Sequence, residues 1–170
     1  MATLCPSCAT RNLEGADECD HCGAALIHTG LNKTEREGYG RFMRQPLTAL
    51  GLSPPNTITA GETLETAVRL LVERQLNLLA VVEDGRLIGV LSVRDIMVRV
   101  GPQYREKLAL PVRAFMTPSP VGLPPDAPIP FALNQMDVGG YRHVPVVEED
   151  RLLGLVDARD LLRHFFDAHA

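Results

Sequence analysis

The 170-residue sequence contains no tryptophan, and aromatic residues make up 5% of it. No apolar run approaches the roughly 18 residues that cross a membrane as a helix, so we expect no membrane span. The N-terminal stretch MATLCPSC has no basic segment followed by an apolar one, so we expect no secretory signal. Together these absences favour a cytoplasmic protein.

Lysine is scarce, since only Lys33 and Lys107 occur among the 17 basic residues. The formal net charge is −4, and no long block of either sign is present. Broad nucleic-acid binding requires a basic stripe that neutralises phosphates, so we expect no nucleic-acid partner. This charge still permits a local basic pocket for one small anion.

Patterns typical of catalytic sites are also missing. An enzyme needs a nucleophile with its base, a carboxylate pair or an open metal site, but the histidines are scattered and no P-loop or G-x-S-x-G occurs. Gly38 and Gly40 form part of a G-x-G-x-x-G pattern, yet Met43 occupies the third glycine position and no strand-like run precedes it. We therefore expect a protein that is not an enzyme.

Four cysteines lie in the first 22 residues, in the pattern CPSC-x10-CDHC: Cys5, Cys8, Cys19 and Cys22. Two C-x2-C pairs can bring four thiolates to one Zn2+. The segment is too short to bury a core, so metal binding would supply its folding free energy. Paired disulfides would need an oxidising compartment, and a redox-active C-x-x-C would need a βαβ context that is absent. We predict a structural zinc site.

On these four cysteines alone, residues 1–26 resemble the minimal zinc-ribbon family. Arg11 is the only basic side chain in residues 1–30, against four acidic ones. Zinc with four thiolates adds a formal charge of about −2. We call residues 1–26 the zinc knuckle. Its negative charge makes it a poor binder of phosphates, so its expected partner is a protein of unknown identity.

The rest of the chain repeats itself after a linker or approach helix at 27–44. A shift of 65 residues superimposes 55–100 on 120–165 without a gap. Ten of the 46 aligned positions are identical, and eight of those ten fall within 81–95. This concentration indicates duplication of one unit.

Each copy has the pattern strand, helix, strand, strand, helix. The first helix of each copy carries one apolar stripe at i, i+3, i+4 and i+7. The stripes are Leu64, Ala67, Val68 and Leu71 in the first copy, and Ile129, Ala132, Leu133 and Met136 in the second. Apolar runs at 78–82 and 87–91 flank the turn signal Asp84-Gly85, and runs at 143–147 and 152–156 repeat them. Final helices begin near Val93 and Ala158. We predict an α/β (α+β) fold built from two β-α-β-β-α repeats.

The stretches QLNLLAVV-x4-LIGVLSVRDIM and GYRHVPVV-x4-LLGLVDARDLL resemble a tandem pair of CBS domains, also called a Bateman module. FMTPSP is similar to the M-T-x-x-P lead-in of that family. The resemblance implies a pseudo-twofold disc formed by repeats at 45–104 and 105–170. It also implies two clefts that take AMP, ADP, ATP or S-adenosylmethionine.

The family pattern Gly-x-x-Ser/Thr-x-x-Asp implies which residues contact the ligand. In the first copy Gly89, Ser92 and Asp95 match it, with the aspartate on the ribose hydroxyls and the serine facing the phosphate. Arg94 lies in the same helical turn and could add charge-assisted hydrogen bonds. A helix N-terminus favours a phosphate, but the same residues also form helix caps without any ligand. The two roles are compatible.

The second copy differs at the phosphate position. It has Gly154 and Asp160, but Asp157 replaces the expected Ser/Thr. A carboxylate there should repel an anionic ligand unless a cation or nearby arginines offset its charge. Unequal clefts are therefore expected. The first takes a nucleotide, and the second is empty, binds through Mg2+, or prefers a ligand without phosphates.

Three basic residues belong to the same expected cleft: Arg142, His143 and Arg159. In the family, basic residues at the first two positions reach the phosphates. The alternatives are an exposed surface charge for Arg142 and a hydrogen-bonded, half-buried side chain for His143.

These observations favour a regulatory protein that senses an adenosine-containing ligand and signals through its oligomeric state or its zinc knuckle. The alternative is a structural adaptor that only dimerises and docks a partner through the knuckle. A homodimer is expected because the final helices carry more apolar residues than one repeat needs to cover. These residues are Ile96, Met97, Val100, Leu161, Leu162, Phe165 and Phe166.

Overall fold

The computed structural model describes residues 2–5, 8–13, 16–24, 26, 41–52 and 54–167. Residues 27–40 of the expected linker lie outside the described residues, and residues 41–43 are helical. The chain divides into two compact units. Unit 1 comprises 1–51, 126–144 and 156–170, and unit 2 comprises 52–125 and 145–155.

The cysteine segment of unit 1 contains two short strands, β1 (Ala2–Leu4) and β2 (Arg11–Leu13). They pair antiparallel, with Thr3 opposite Asn12. Two similar turns present the cysteines. In each turn the carbonyl of the first cysteine accepts a hydrogen bond at 2.8 Å, from the N–H of Ala9 or of Gly23. Both donors have a positive φ, +57° for Ala9 and +71° for Gly23.

Unit 2 carries the first copy in the predicted order. Its elements are β3 (Thr57–Thr59), α1 (Leu64–Glu73), β4 (Leu78–Glu83), β5 (Arg86–Ser92) and α2 (Val93–Arg99). Strand β3 runs parallel to β4, and β4 runs antiparallel to β5. The short helix α3 (Tyr104–Lys107) follows, and then β6 (Thr117–Pro118), which pairs antiparallel with β5.

The predicted stripe of α1 faces the core of unit 2. Leu64, Ala67 and Leu71 are buried there against Leu79 and Leu91 of the strands. Full burial of one leucine side chain contributes roughly 1.5–3 kcal/mol, so this face fixes the helix on the sheet. Thr63 begins the helix by accepting a hydrogen bond from the Thr66 N–H.

The second copy supplies α4 (Ile129–Gly139), β7 (His143–Glu148), β8 (Arg151–Asp157) and α5 (Ala158–Asp167). Its expected first strand is reduced to one parallel bridge between Leu123 and Val146. Leu123 makes both of its backbone hydrogen bonds, to Pro145 and Val147. Pro125, two residues further on, has no N–H with which to extend the ladder.

Matching turns join the paired strands. Asp84 and Gly85 between β4 and β5 have φ values of +49° and +78°. Glu149 and Asp150 between β7 and β8 have φ values of +48° and +66°. Two consecutive positive φ values are what a two-residue hairpin of type I′ requires. The fold is therefore the mixed α/β arrangement that the sequence predicts. In the described part of the chain, no helix has the length and apolar character needed to span a membrane.

Candidate ligand and metal sites

The four cysteine sulfurs of unit 1 all lie within 4.8 Å of one another. The Sγ atoms of Cys5 and Cys22 are 3.6 Å apart, and those of Cys8 and Cys19 are 3.5 Å apart. A tetrahedral zinc with bonds of about 2.3 Å holds its sulfurs about 3.8 Å apart. All four predicted ligands thus meet in an arrangement that could hold a metal ion.

The pKa values of two of these thiols are shifted in opposite directions. Burial opposes ionisation of Cys19, but backbone N–H groups of Cys22 and His21, with the neighbouring Cys8 and Asn12, lower its pKa to about 6. The Ala24 backbone N–H favours the Cys22 thiolate, yet the adjacent thiols raise the pKa of Cys22 to about 12. Cys19 therefore ionises more readily than an ordinary thiol, and Cys22 ionises less readily.

At the junction of β5 and α2, Ser92 and Asp95 form a reciprocal helix cap. The Ser92 hydroxyl accepts a hydrogen bond from the Asp95 N–H at 3.1 Å. Asp95 Oδ2 accepts from the Ser92 N–H at 2.9 Å and from the Ser92 hydroxyl at 2.5 Å. The capping interpretation is thus realised in the structure, and it keeps both residues at the first turn of α2.

The other carboxylate oxygen of Asp95 is also occupied. Oδ1 accepts a hydrogen bond from the Thr117 hydroxyl at 3.2 Å and lies 3.2 Å from an Arg99 guanidinium nitrogen. Arg99 also donates to the carbonyls of Phe115 and Met116, at 2.8 and 2.6 Å. Asp95 thus accepts three hydrogen bonds and forms one ion pair, so a ligand that binds its carboxylate would compete with these partners.

Sequence reasoning missed Thr117 and Arg99 as partners of Asp95. Thr117 belongs to the FMTPSP segment, so the lead-in motif was an available signal for it. Nothing in the sequence around Arg99 indicates its contacts, because β6 brings the 115–117 backbone to it from later in the chain. Arg94 is exposed in the first turn of α2.

In unit 1, Asp157 of the second copy has two basic neighbours, a histidine and an arginine. Its Oδ2 lies 3.1 Å from His143 Nε2 and 3.1 Å from an Arg159 guanidinium nitrogen. Its Oδ1 accepts the Arg159 backbone N–H at 2.7 Å, as a helix-capping residue does. Asp160 completes the cap by accepting the Asp157 N–H at 3.0 Å. Four of the predicted site residues are therefore brought together.

Arg142 contributes to this site through its backbone. Its carbonyl accepts the Ala158 N–H at 3.0 Å, and its side chain is exposed. Arg163, which was not predicted, lies 3.7 Å from Asp160 Oδ1. Position 163 aligns with Val98 of the first copy, so the repeat itself gave no signal for it.

Burial and charge set the protonation of the pair formed by His143 and Asp157. Burial lowers the pKa of His143, while Asp157 acts in the opposite direction. Burial alone would raise the pKa of Asp157, but hydrogen bonds from Arg159 and the charge of His143 lower it. At neutral pH the pair is thus a carboxylate that accepts from a neutral imidazole.

Comparison with known protein families identifies the family to which this chain belongs. A sequence model of the CBS domain matches residues 42–101 and 112–167, which is most of the chain. The chain belongs to the CBS-domain family. Both matched segments are CBS domains, as the resemblance implied.

Two relatives match part of this chain. An uncharacterized 17.7 kDa protein from Acidianus ambivalens is 31% identical over 109 residues, which cover 63% of this chain and 65% of the relative. An uncharacterized protein from Methanocaldococcus jannaschii, MJ0188, is 37% identical over 116 residues, which cover 63% of this chain and 39% of the relative. The match therefore spans less than two thirds of either relative.

A solved structure agrees in fold. It is the CBS domain pair of protein MJ0100 in complex with 5′-methylthioadenosine and S-adenosyl-L-methionine. It superimposes with a TM-score of 0.61 at 25% identity, and the match covers 71% of this chain and 98% of that one. The CBS-pair fold predicted from sequence is confirmed.

Proposed function

We propose that this CBS-domain protein is a regulatory module that binds an adenosine-containing ligand and is not an enzyme. The observation that carries the proposal is the Ser92–Asp95 pair held at the start of α2, in a family where a similar CBS pair binds 5′-methylthioadenosine and S-adenosyl-L-methionine. AMP, ADP and ATP are the other candidate ligands. Asp95 would accept the ribose hydroxyls, and Ser92 with Arg94 would face a phosphate.

Ligand binding at Asp95 would be an exchange reaction within the protein. Ribose hydroxyls would compete with the Thr117 hydroxyl and the Arg99 guanidinium for Oδ1. Arg99 would then keep its bonds to the 115–116 carbonyls. Ligand binding would thereby change the contacts of the segment that connects the two repeats.

The second site would prefer a different ligand. Asp157 adds a carboxylate where a phosphate would approach, although Arg159 offsets part of its charge and His143 lies within hydrogen-bond distance of it. A ligand without phosphates, such as adenosine or S-adenosylmethionine, avoids the remaining repulsion. A nucleotide would need Mg2+ at this site.

The cysteine segment would hold one structural Zn2+ through Cys5, Cys8, Cys19 and Cys22, whose sulfurs lie within 4.8 Å of one another. With its acidic surroundings, the knuckle would dock a protein partner and carry the ligand signal to it. The metal would supply folding free energy to a segment that has almost no core.

We also propose a homodimer formed through α2 and α5. Met97 is 73% exposed and Phe166 is 63% exposed. Two other residues of the predicted apolar face, Val100 and Leu161, are instead buried. A dimer would therefore use a smaller face than the sequence indicated. A monomeric mass by light scattering at micromolar concentration would refute it.

A thermal-shift screen of the full chain tests the ligand proposal. AMP, ADP, ATP, S-adenosylmethionine and 5′-methylthioadenosine would each be tested with and without Mg2+. A ligand at a hundred times its Kd stabilises the folded state by about 2.7 kcal/mol, which gives a clear rise in melting temperature. No shift with any of these ligands would contradict the proposal.

A second candidate is the structural adaptor, in which the CBS pair only dimerises. The three hydrogen bonds and the ion pair of Asp95 favour it, because a cap of this kind is stable without a ligand. Dimerisation without any ligand-induced thermal shift would select the adaptor.

Metal analysis tests the zinc proposal separately. Purified full chain should contain about one equivalent of zinc. Cys5→Ser should lower that content while the far-ultraviolet circular dichroism of the CBS repeats is kept. Full zinc content in Cys5→Ser would exclude the four-cysteine site.

A further inference from the structure

Asn12 is the one buried polar side chain among the described residues, with 3% of its surface exposed. It lies on β2, and its side chain makes three hydrogen bonds. Oδ1 accepts the Asp20 N–H at 2.9 Å, and Nδ2 donates to the Thr10 carbonyl at 2.9 Å and to Cys19 Sγ at 3.6 Å. This one amide therefore connects the two cysteine turns.

The orientation of this amide is fixed by its neighbours. The Asp20 N–H can only donate, so it requires the oxygen of Asn12. The Thr10 carbonyl can only accept, so it requires the nitrogen. Both constraints place an N–H of Nδ2 toward the Cys19 sulfur, and the reversed amide would lose both backbone hydrogen bonds.

We infer that Asn12 is a positioning residue of the proposed metal site, and that it holds the Cys19 thiolate by donating a hydrogen bond to its sulfur. The inference rests on the proposed metal site and deepens it. Four thiolates around one divalent cation carry excess negative charge, and an N–H donor withdraws part of that charge from the sulfur. The donor also fixes the direction of the Cys19 side chain, which is itself buried.

Asn12→Asp is the sharpest test because it is nearly isosteric. The variant retains an acceptor for the Asp20 N–H, but a carboxylate oxygen replaces the nitrogen that donates to the Cys19 sulfur and to the Thr10 carbonyl. Leu13→Asp is the matched control, since it adds the same charge on the same strand at a side chain that is 79% exposed. Asn12→Ser is a second, neutral variant that removes the sulfur donor if Asn12→Asp fails to fold.

The experiment titrates each full-length protein with Co2+ in competition with a chelator and records the thiolate-to-cobalt absorption. We expect affinity to fall about tenfold to a hundredfold in Asn12→Asp, by less in Asn12→Ser, and to change little in Leu13→Asp. The absorption band should move to lower energy in both Asn12 variants, because a sulfur without its donor holds its electrons less tightly. A merely structural role would leave the band where it is.

The outcomes separate two failures. If the parent protein gives no thiolate-to-cobalt band, the proposed metal site is wrong. If the parent binds Co2+ but the Asn12 variants match Leu13→Asp in affinity and band position, the metal site stands and the role of Asn12 is refuted.

Discussion

His143 Nε2 lies 3.1 Å from Asp157 Oδ2, and both side chains are largely buried. Asp157 carries the charge that sets the second copy apart from the first, where Ser92 occupies the equivalent position. His143 and Arg159 bind this carboxylate, so its charge is partly compensated within unit 1. Anion repulsion at this site is therefore weaker than the sequence alone implies.

The pH dependence of stability should reveal the buried histidine. The pKa of His143 is lowered below 6.5 in the folded state, so the unfolded chain takes up this proton first as pH falls. Stability should thus decline from pH 7 toward pH 5. The lowered pKa of Asp157 contributes stability that is lost only below its ordinary value of 3.8.

His143→Gln should remove the histidine component, because glutamine can still donate to Asp157 and does not titrate. Its melting temperature should fall less between pH 7 and pH 5 than that of the parent. Circular dichroism melts at pH 7, 6 and 5 provide the comparison. Parallel pH profiles for the two proteins would show that His143 titrates equally in the folded and unfolded chain.

Reciprocal exchange of the capping residues tests the charge difference between the copies. Asp157→Ser should strengthen AMP binding at the second site, and Ser92→Asp should weaken it at the first. An uncompensated unit charge at ~5 Å and an effective dielectric near 20 costs about 3 kcal/mol, roughly a hundredfold in affinity. Because Arg159 and His143 already bind Asp157, we expect Asp157→Ser to increase AMP affinity by about tenfold, as measured by calorimetry.

The two exchanges should act in opposite directions at separate sites. Two equal AMP sites in the parent protein without divalent metal would contradict the expected inequality. So would an AMP affinity that neither exchange changes.

Ser92→Ala separates capping from ligand contact when it is compared with Thr63→Ala. Ser92 and Thr63 both accept an N–H at the third position of their helices, so each substitution should destabilise the protein by about 1 kcal/mol. Only Ser92→Ala should also weaken nucleotide binding. If the thermal shift with AMP survives equally in both variants, Ser92 is a cap and nothing more.

Gly89→Ala should destabilise the first repeat. A Cβ at Gly89 would lie 2.6 Å from Met116 Sδ and 3.1 Å from the Thr117 carbonyl oxygen, because β6 pairs with β5 at this position. We expect a loss of about 1–3 kcal/mol in urea unfolding, as for other overpacked sites. Gly61→Ala is the control, because no atom lies within 4 Å of its added Cβ. Equal stability of the two variants would count against close packing at Gly89.

The predictable part of the fold is the part encoded locally. The helical spacing of Leu64, Ala67 and Leu71 predicts that these residues are buried, and the structure confirms this prediction. The shortened first strand of the second copy was not foreseen, although Pro125 gave a reason for it.

The candidate ligand site divides in the same way. Ser92 and Asp95 lie three residues apart, so the sequence displays their pairing directly. Arg99 and Thr117 meet Asp95 only because β6 pairs with β5, and such contacts depend on tertiary structure. Asn12 carries no sequence signal of its own, since its role depends on the approach of Asp20 and Cys19.

The hairpin turn between β7 and β8 contains a position where one substitution should stabilise the protein for further mutagenesis. Asp150 adopts φ +66°, where the first copy has Gly85. A non-glycine residue at a positive φ destabilises the fold by about 1 kcal/mol. The ion pair of Asp150 with Arg86, at 4.0 Å and exposed to solvent, offsets little of this free energy. Asp150→Gly should therefore raise the melting temperature. Destabilising replacements at Gly89 or Ser92 could then be measured in that background without loss of the folded state.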